Sequence, residues 1–141
     1  MELLDRISKM VEKYNWKTDQ LPSGTVRVDV VLKLNDGRFR YQWVFLTQQE
    51  SKAGKEIYMN SRVGIYNQTL LYPMLKKAGA SCCYSCLTVV NDTYDGKPAE
   101  TFVIQSVPSA DISDDMLYKI LFEVANTADF LEETFYGGDN V

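Results

Sequence analysis

Cys82, Cys83 and Cys86 form a tight cluster, and the last two have the C-x-x-C spacing that recurs in zinc and redox sites. The segment that holds them, Ser81 to Val90, is rich in Val, Thr, Tyr and Leu and reads as a strand. Strand residues three apart point to opposite faces, and Cys82 and Cys86, on one face, stand about 13 Å apart. That separation is too long for a disulfide or a shared zinc ion, and a fourth ligand is missing. Core cysteines are the expectation, unless the segment is a loop. A second pair, Asp129 and Glu133, lies four residues apart on one helical face and could do acid/base work or hold a cation. No glycine-rich phosphate loop or second acidic cluster accompanies it, so solvated charges are the simpler reading. The chain has no histidine. This removes Ser-His and Cys-His nucleophile pairs and the His-containing zinc sites. A conventional hydrolase is therefore not expected, and neither are metal ligands or a cofactor.

These side chains depend on elements that periodicity outlines. From Ser113 to Phe135 the apolar residues Leu117, Ile120, Leu121, Val124, Ala128, Leu131 and Phe135 follow one face of a helix. Ser113 is placed as its cap, Asp114 and Asp115 suit the positive end of its dipole, Ile112 can staple onto Leu117, and Gly137 and Gly138 supply the stop. Met1 to Tyr14 repeats the pattern with Leu3, Leu4, Ile7, Met10, Val11 and Tyr14, closed by Asn15 with Trp16 folded back. From Thr25 the period changes to two. Val26, Val28, Val30, Leu32 and Leu34 alternate with polar residues, and after Asp36-Gly37 the aromatics Phe39, Tyr41, Trp43 and Phe45 do the same.

Read as a two-residue type I′ turn, Asp36-Gly37 sets Leu34 opposite Phe39, Leu32 opposite Tyr41, Val30 opposite Trp43 and Val28 opposite Phe45. All the rings then enter the core. Lys55 to Val63 is a third strand, with Ile57, Met59 and Val63 on one face and Glu56, Tyr58, Asn60 and Arg62 on the other. A short helix is expected to start near Leu70, because Pro73 suits only a first turn. Ser81 to Val90 and Ala99 to Val107 complete the strands, with a connection from Asn91 to Pro98. The order α-β-β-β-α-β-β-α describes an α+β protein, one domain over residues 1–141, in which the terminal helices cover one face of an antiparallel five-stranded sheet as a two-layer sandwich.

The other sheet face is the expected contact surface. It would carry Arg27, Lys33, Arg40 and Arg62 beside Val31, Val44, Leu46 and Tyr58, a basic face with apolar inserts suited to an acidic helix or an extended peptide. Nucleic acid is not an expected partner, because with the rings inward few aromatics remain for stacking. From Asp111 onward, moreover, eight acids face the lone base Lys119, a net charge of −7 within an overall −4. A membrane is not expected either, since no apolar run is long enough to span one and Met1 to Asp5 lacks the basic start of a signal peptide. A cytoplasmic location is the expectation.

Tyr58-Met59-Asn60-Ser61-Arg62-Val63-Gly64, the helix with Leu70, Leu71 and Leu75, and Ala125 to Phe135 followed by Gly137-Gly138-Asp139 resemble the YbjN-like family, whose fold is similar to that of class I type III secretion chaperones. The resemblance implies a small, dimeric, non-enzymatic chaperone-like or regulatory protein that binds a peptide or protein partner, and it brings no catalytic residues. The partner-binding candidates are Arg27, Val31, Arg40, Val44, Leu46 and Tyr58 on the sheet and Leu71, Met74 and Leu75 on the middle helix. The alternative is a small-molecule-binding protein or small enzyme with a pocket between helices and sheet.

Overall fold

The computed structural model describes residues 2–137, so the expected stop at Gly138 and the acid at Asp139 lie outside the described residues. Three helices, α1 (Glu2–Val11), α2 (Gln68–Ser81) and α3 (Asp114–Tyr136), accompany six strands. These are β1 (Lys17–Gln20), β2 (Val26–Lys33), β3 (Phe39–Ser51), β4 (Gly54–Ile65), β5 (Cys86–Tyr94) and β6 (Lys97–Ser106). They form one antiparallel sheet in the order β1-β2-β3-β4-β6-β5, and the helices lie on one face of it. The sheet has six strands rather than the five expected from sequence. The added strand, β1, is short and polar and carries no alternation; its place is set by pairing, with Lys17 opposite Asp29 and Gln20 opposite Val26.

The terminal helices form where periodicity places them. In α3, Leu117, Ile120, Leu121, Val124, Ala128 and Leu131 are buried, and Ser113 accepts a hydrogen bond from the Met116 N–H as cap. Gly137 closes the helix in the left-handed conformation. In α1, Leu3, Ile7, Met10 and Val11 are buried; a 3-10 turn over Glu12–Tyr14 follows, and Asn15 ends it with φ of 58°. Trp16 folds back beneath Tyr14 and Tyr118, with ring centroids 5.3 and 5.4 Å away.

The β2–β3 hairpin departs from expectation. The Leu34 N–H donates to the Arg38 carbonyl and the Gly37 N–H to the Leu34 carbonyl, which closes a three-residue loop over Asn35–Gly37. Gly37 alone in the loop takes a positive φ, 88°, so the turn is type I followed by a left-handed residue rather than type I′. The register therefore slips by one: Val30 faces Gln42, Val28 faces Val44 and Val26 faces Leu46. A slip of one residue sends every side chain of a strand to the opposite face. Phe39, Tyr41, Trp43 and Phe45 point away from the helices, and Arg40, Gln42, Val44 and Leu46 point toward them.

The type I′ turn occurs at the chain's other Asp-Gly pair. Asp95 and Gly96 both have positive φ, 50° and 77°, and join Tyr94 to Lys97 directly. The two last strands consequently reach into the stretch expected to be their connection. Two further differences concern α2. Asn67 caps the helix by accepting from the Thr69 N–H, so it starts at Gln68 and Pro73 sits in its second turn, without the N–H that would bond the Thr69 carbonyl. The helix also runs to Ser81, which leaves Cys82 to Ser85 as a loop and only Cys86 on a strand.

Candidate interaction surface

Four strands, β1 to β4, and the β6–β5 pair present a face that no helix covers. Along its central strand Phe39, Tyr41 and Trp43 are 56%, 62% and 50% exposed, at every second residue of β3. Trp43 meets Phe45 edge to face at 6.2 Å. The Arg27 guanidinium lies over the Trp43 ring, 4.5 Å from its centroid, and also pairs with Asp19 at 3.3 Å. Farther across, Arg62 pairs with Asp92 at 2.6 Å and stacks over Tyr94. Tyr58 donates to Gln105, and Asn60 donates to the Tyr58 hydroxyl. Lys17 stands opposite Asp29 in the β1–β2 register. The Arg27 and Arg62 guanidiniums thus have carboxylate partners within the face, while Lys33, opposite Phe39, is exposed.

Two cavities open on this face at opposite ends of the row. One, of about 530 Å³, is lined by Tyr14, Val31, Phe39 and Tyr41 with Lys17 and Asp29. The other, of about 350 Å³, is lined by Phe45, Tyr58, Asn60, Arg62 and Val103 among others. The side chains between helices and sheet, by contrast, form the buried core.

The expected contact residues divide between the two faces. Arg27, Val31 and Tyr58 lie on the open face, half-buried. Val44 and Leu46 are fully buried beneath the helices, because the hairpin register turns them inward. Arg40 turns inward with them. Its Nη2 and Nε donate to one oxygen of Asp129 at 2.7 and 3.2 Å, and its Nη1 donates to Glu133 at 3.1 Å. The acidic pair of α3 therefore holds an arginine of β3, where solvated charges were expected. On α2, Met74 is buried in the core, Leu71 is half-buried and Leu75 is 47% exposed. Phe39, Tyr41 and Trp43 are the surface residues that sequence reasoning sent inward; the signal that could have found them is Asn35, which makes Asn35-Asp36-Gly37 as good a three-residue turn as Asp36-Gly37 is a two-residue one.

Cys83 and Cys86 are exposed and Cys82 is half-buried, where core cysteines were expected, and the loop that holds Cys82 and Cys83 is organised by a carboxylate. Glu123 of α3 accepts from the Cys83 and Tyr84 N–H groups at 3.1 and 2.8 Å and from the Ser85 hydroxyl at 2.6 Å. Burial pushes the Cys82 thiol above its ordinary pKa, which disfavours the thiolate that nucleophilic or ligand chemistry needs. Among the described residues no group of three or more His, Cys, Asp or Glu side chains is placed to hold a metal ion. Among them, too, no helix is long and apolar enough to cross a membrane.

No family model matches the chain, and no curated protein does. Among solved structures it is similar to the crystal structure of YbjN from E. coli, a protein for which transcription regulation has been suggested. The likeness has a TM-score of 0.54 and 10% sequence identity, and it covers 96% of this chain and 93% of that one. At that identity the comparison shows a shared fold: a mixed α/β arrangement with helices on an antiparallel sheet of the YbjN kind.

Proposed function

We propose that this protein is a non-enzymatic binding module that engages a polypeptide partner, in a chaperone-like or regulatory role, through the uncovered face of its sheet. The observation that carries the reading is the row Phe39, Tyr41 and Trp43, half or more exposed at the centre of that face. Each ring can bury on the order of 150–250 Å², so covering half of the three removes on the order of 300 Å² of aromatic surface from water. Tyr and Trp are the side chains most often found where interface energy concentrates. A polypeptide suits the face better than nucleic acid, because Arg27 and Arg62 already have carboxylate partners and the acids Asp19, Asp29 and Asp92 lie among the cations of the face. The fold shared with YbjN is compatible with a regulatory role and leaves the partner open.

The experiment is site-specific photo-crosslinking in cells from position 41, with position 72 on α2, also exposed, as control. A discrete polypeptide adduct from position 41 alone is expected, and the purified partner should bind Trp43→Ala at least tenfold more weakly. Adducts to nucleic acid, or a captured polypeptide whose affinity ignores Trp43→Ala, would overturn the proposal.

A further inference from the structure

At the corner where the chain leaves the helix layer for the sheet, Asn15 takes a left-handed φ of 58° and turns the Glu12–Tyr14 segment toward β1. Tyr14 comes to rest beside the open face, and stacking on Tyr118, with centroids 4.5 Å apart and planes at 15°, holds its ring there. β1 begins at Lys17, opposite Asp29, so it does not reach Val31, the next open-face residue of β2. The cavity of about 530 Å³ lies at this gap, lined by half-buried Val31 and by three aromatic residues, Tyr14, Phe39 and Tyr41. Small-molecule sites span roughly 300–1,000 Å³, so the space suits a small ligand. Lys17 and Asp29 also line it. The register makes them cross-strand neighbours, with Cβ atoms about 5 Å apart and within reach of an ion pair. They do not form one: among the described residues neither has an ion pair or a side-chain hydrogen bond. Both charges are left to the cavity.

We propose that this cavity binds a free α-amino acid with an aromatic side chain, its ammonium on Asp29, its carboxylate on Lys17 and its ring among Val31, Tyr14, Phe39 and Tyr41. The pair of charges selects the class. A ligand with one positive charge, which the rings also attract, would meet Lys17, and a ligand with one negative charge would meet Asp29. An α-amino acid carries both charges on one carbon, as the two cross-strand neighbours require. Its ring adds aromatic contacts with the three that line the cavity. A residue inside a polypeptide has neither charge, so this ligand is distinct from the partner proposed above. With both charges partly open to water, the dissociation constant is on the order of 1 mM. The site uses the Lys17 end of the face and not Trp43, so it stands or falls independently of the proposed function.

Titration with L-phenylalanine, followed by the backbone amide resonances of Val31 and Tyr41, tests it. Phenethylamine and 3-phenylpropionate, which keep the ring and one charge each, serve as controls. The expected result is saturable shifts with L-phenylalanine and binding at least fivefold weaker for each control. Lys17→Met and Asp29→Asn should each weaken L-phenylalanine at least fivefold, and Lys17→Met should tighten phenethylamine by removing the like charge. The amides of β4 and β6 report that each variant is folded. No saturable shift at about 10 mM L-phenylalanine, a control that binds within fivefold of it, or a smaller loss with either substitution would overturn the proposal, as would phenethylamine bound no tighter by Lys17→Met.

Discussion

Arg40 of β3 and Asp129 of α3 are joined across the two layers of the fold, Nη2 2.7 Å and Nε 3.2 Å from a single carboxylate oxygen, and the Asp129 side chain is 7% exposed. The contact explains how a strand can turn its polar set inward. Arg40 finds two acids, and Gln42 donates to Ser61 at 2.9 Å and to the Arg62 carbonyl at 3.0 Å, so both polar side chains have partners and Val44 and Leu46 pack as core. Removing one partner of such a pair leaves a buried charge uncompensated, at a typical cost of about 3–5 kcal/mol. Because Arg40 and Glu133 keep some water, Arg40→Ala should cost about 2–3 kcal/mol by urea unfolding. Arg40→Met with Asp129→Leu should recover most of that loss.

Gly64 of β4 lies directly against Tyr136 of α3. A Cβ there would overlap the Tyr136 ring, whose hydroxyl donates to the Ile65 carbonyl. Overpacking of this kind costs about 1–3 kcal/mol, so Gly64→Ala should lower stability by that amount. Its effect should shrink in a Tyr136→Ala background, a non-additivity that a double-mutant cycle measures.

The two Asp-Gly turns should differ in their response to glycine in place of the aspartate. Asp95 already has a positive φ, so Asp95→Gly should change stability by no more than about 0.5 kcal/mol. Asp36 instead accepts from the Arg38 N–H at 3.0 Å and pairs with its side chain, so Asp36→Gly should lower the urea midpoint of unfolding. The same contacts, the Arg38 backbone N–H first, hold the Asp36 carboxyl below its ordinary value of 3.8. The stabilisation from a lowered carboxyl is present above that value and lost as pH falls through the folded-state pKa. Acid titrations of stability should therefore show a shallower decline for Asp36→Asn than for the unmodified chain.

Glu123 should govern access to the cysteine loop. Glu123→Ala removes the acceptor for the Cys83 and Tyr84 N–H groups, and amide exchange there should accelerate several-fold with little change in the sheet. In the unmodified chain Cys82 should be alkylated slowly at pH 7, since burial keeps its thiol protonated. Mass-resolved labelling measures both effects.

Sequence periodicity reveals α1 and α3 because each has one apolar stripe and a matching cap, so pattern and end signals agree at Ser113, Leu117 and Gly137. It reveals the alternation in β2 and β4 for the same reason. It fails at β3, where Trp43-Val44-Phe45-Leu46 is apolar on both faces and only turn length decides which set enters the core. The more hydrophobic set stays outside because Arg40 and Gln42 have partners within the fold, and those partners are distant in sequence. β1 is invisible to periodicity because an edge strand of four polar residues forms by pairing with β2. The cysteine segment was misplaced because α2 outruns its pattern to Ser81, anchored beyond its end by Glu123. Of the candidate surface, Arg27, Val31 and Tyr58 were legible, since β2 and β4 alternate cleanly, whereas Arg40, Val44 and Leu46 followed the β3 parity to the other side.

The orientation of β3 is the claim on which the open aromatic face rests, and its tryptophan reports it directly. The chain has two tryptophans, Trp16, 7% exposed, and Trp43, 50% exposed. Trp16→Phe leaves Trp43 as the sole indole, and acrylamide quenching of its fluorescence in the folded protein measures which way it points. The structure predicts emission typical of a hydrated indole and quenching several-fold faster than that of Trp16 in the Trp43→Phe variant. Blue-shifted emission from Trp43 with quenching as slow as that of Trp16 would place the ring beneath the helices and contradict the hairpin register.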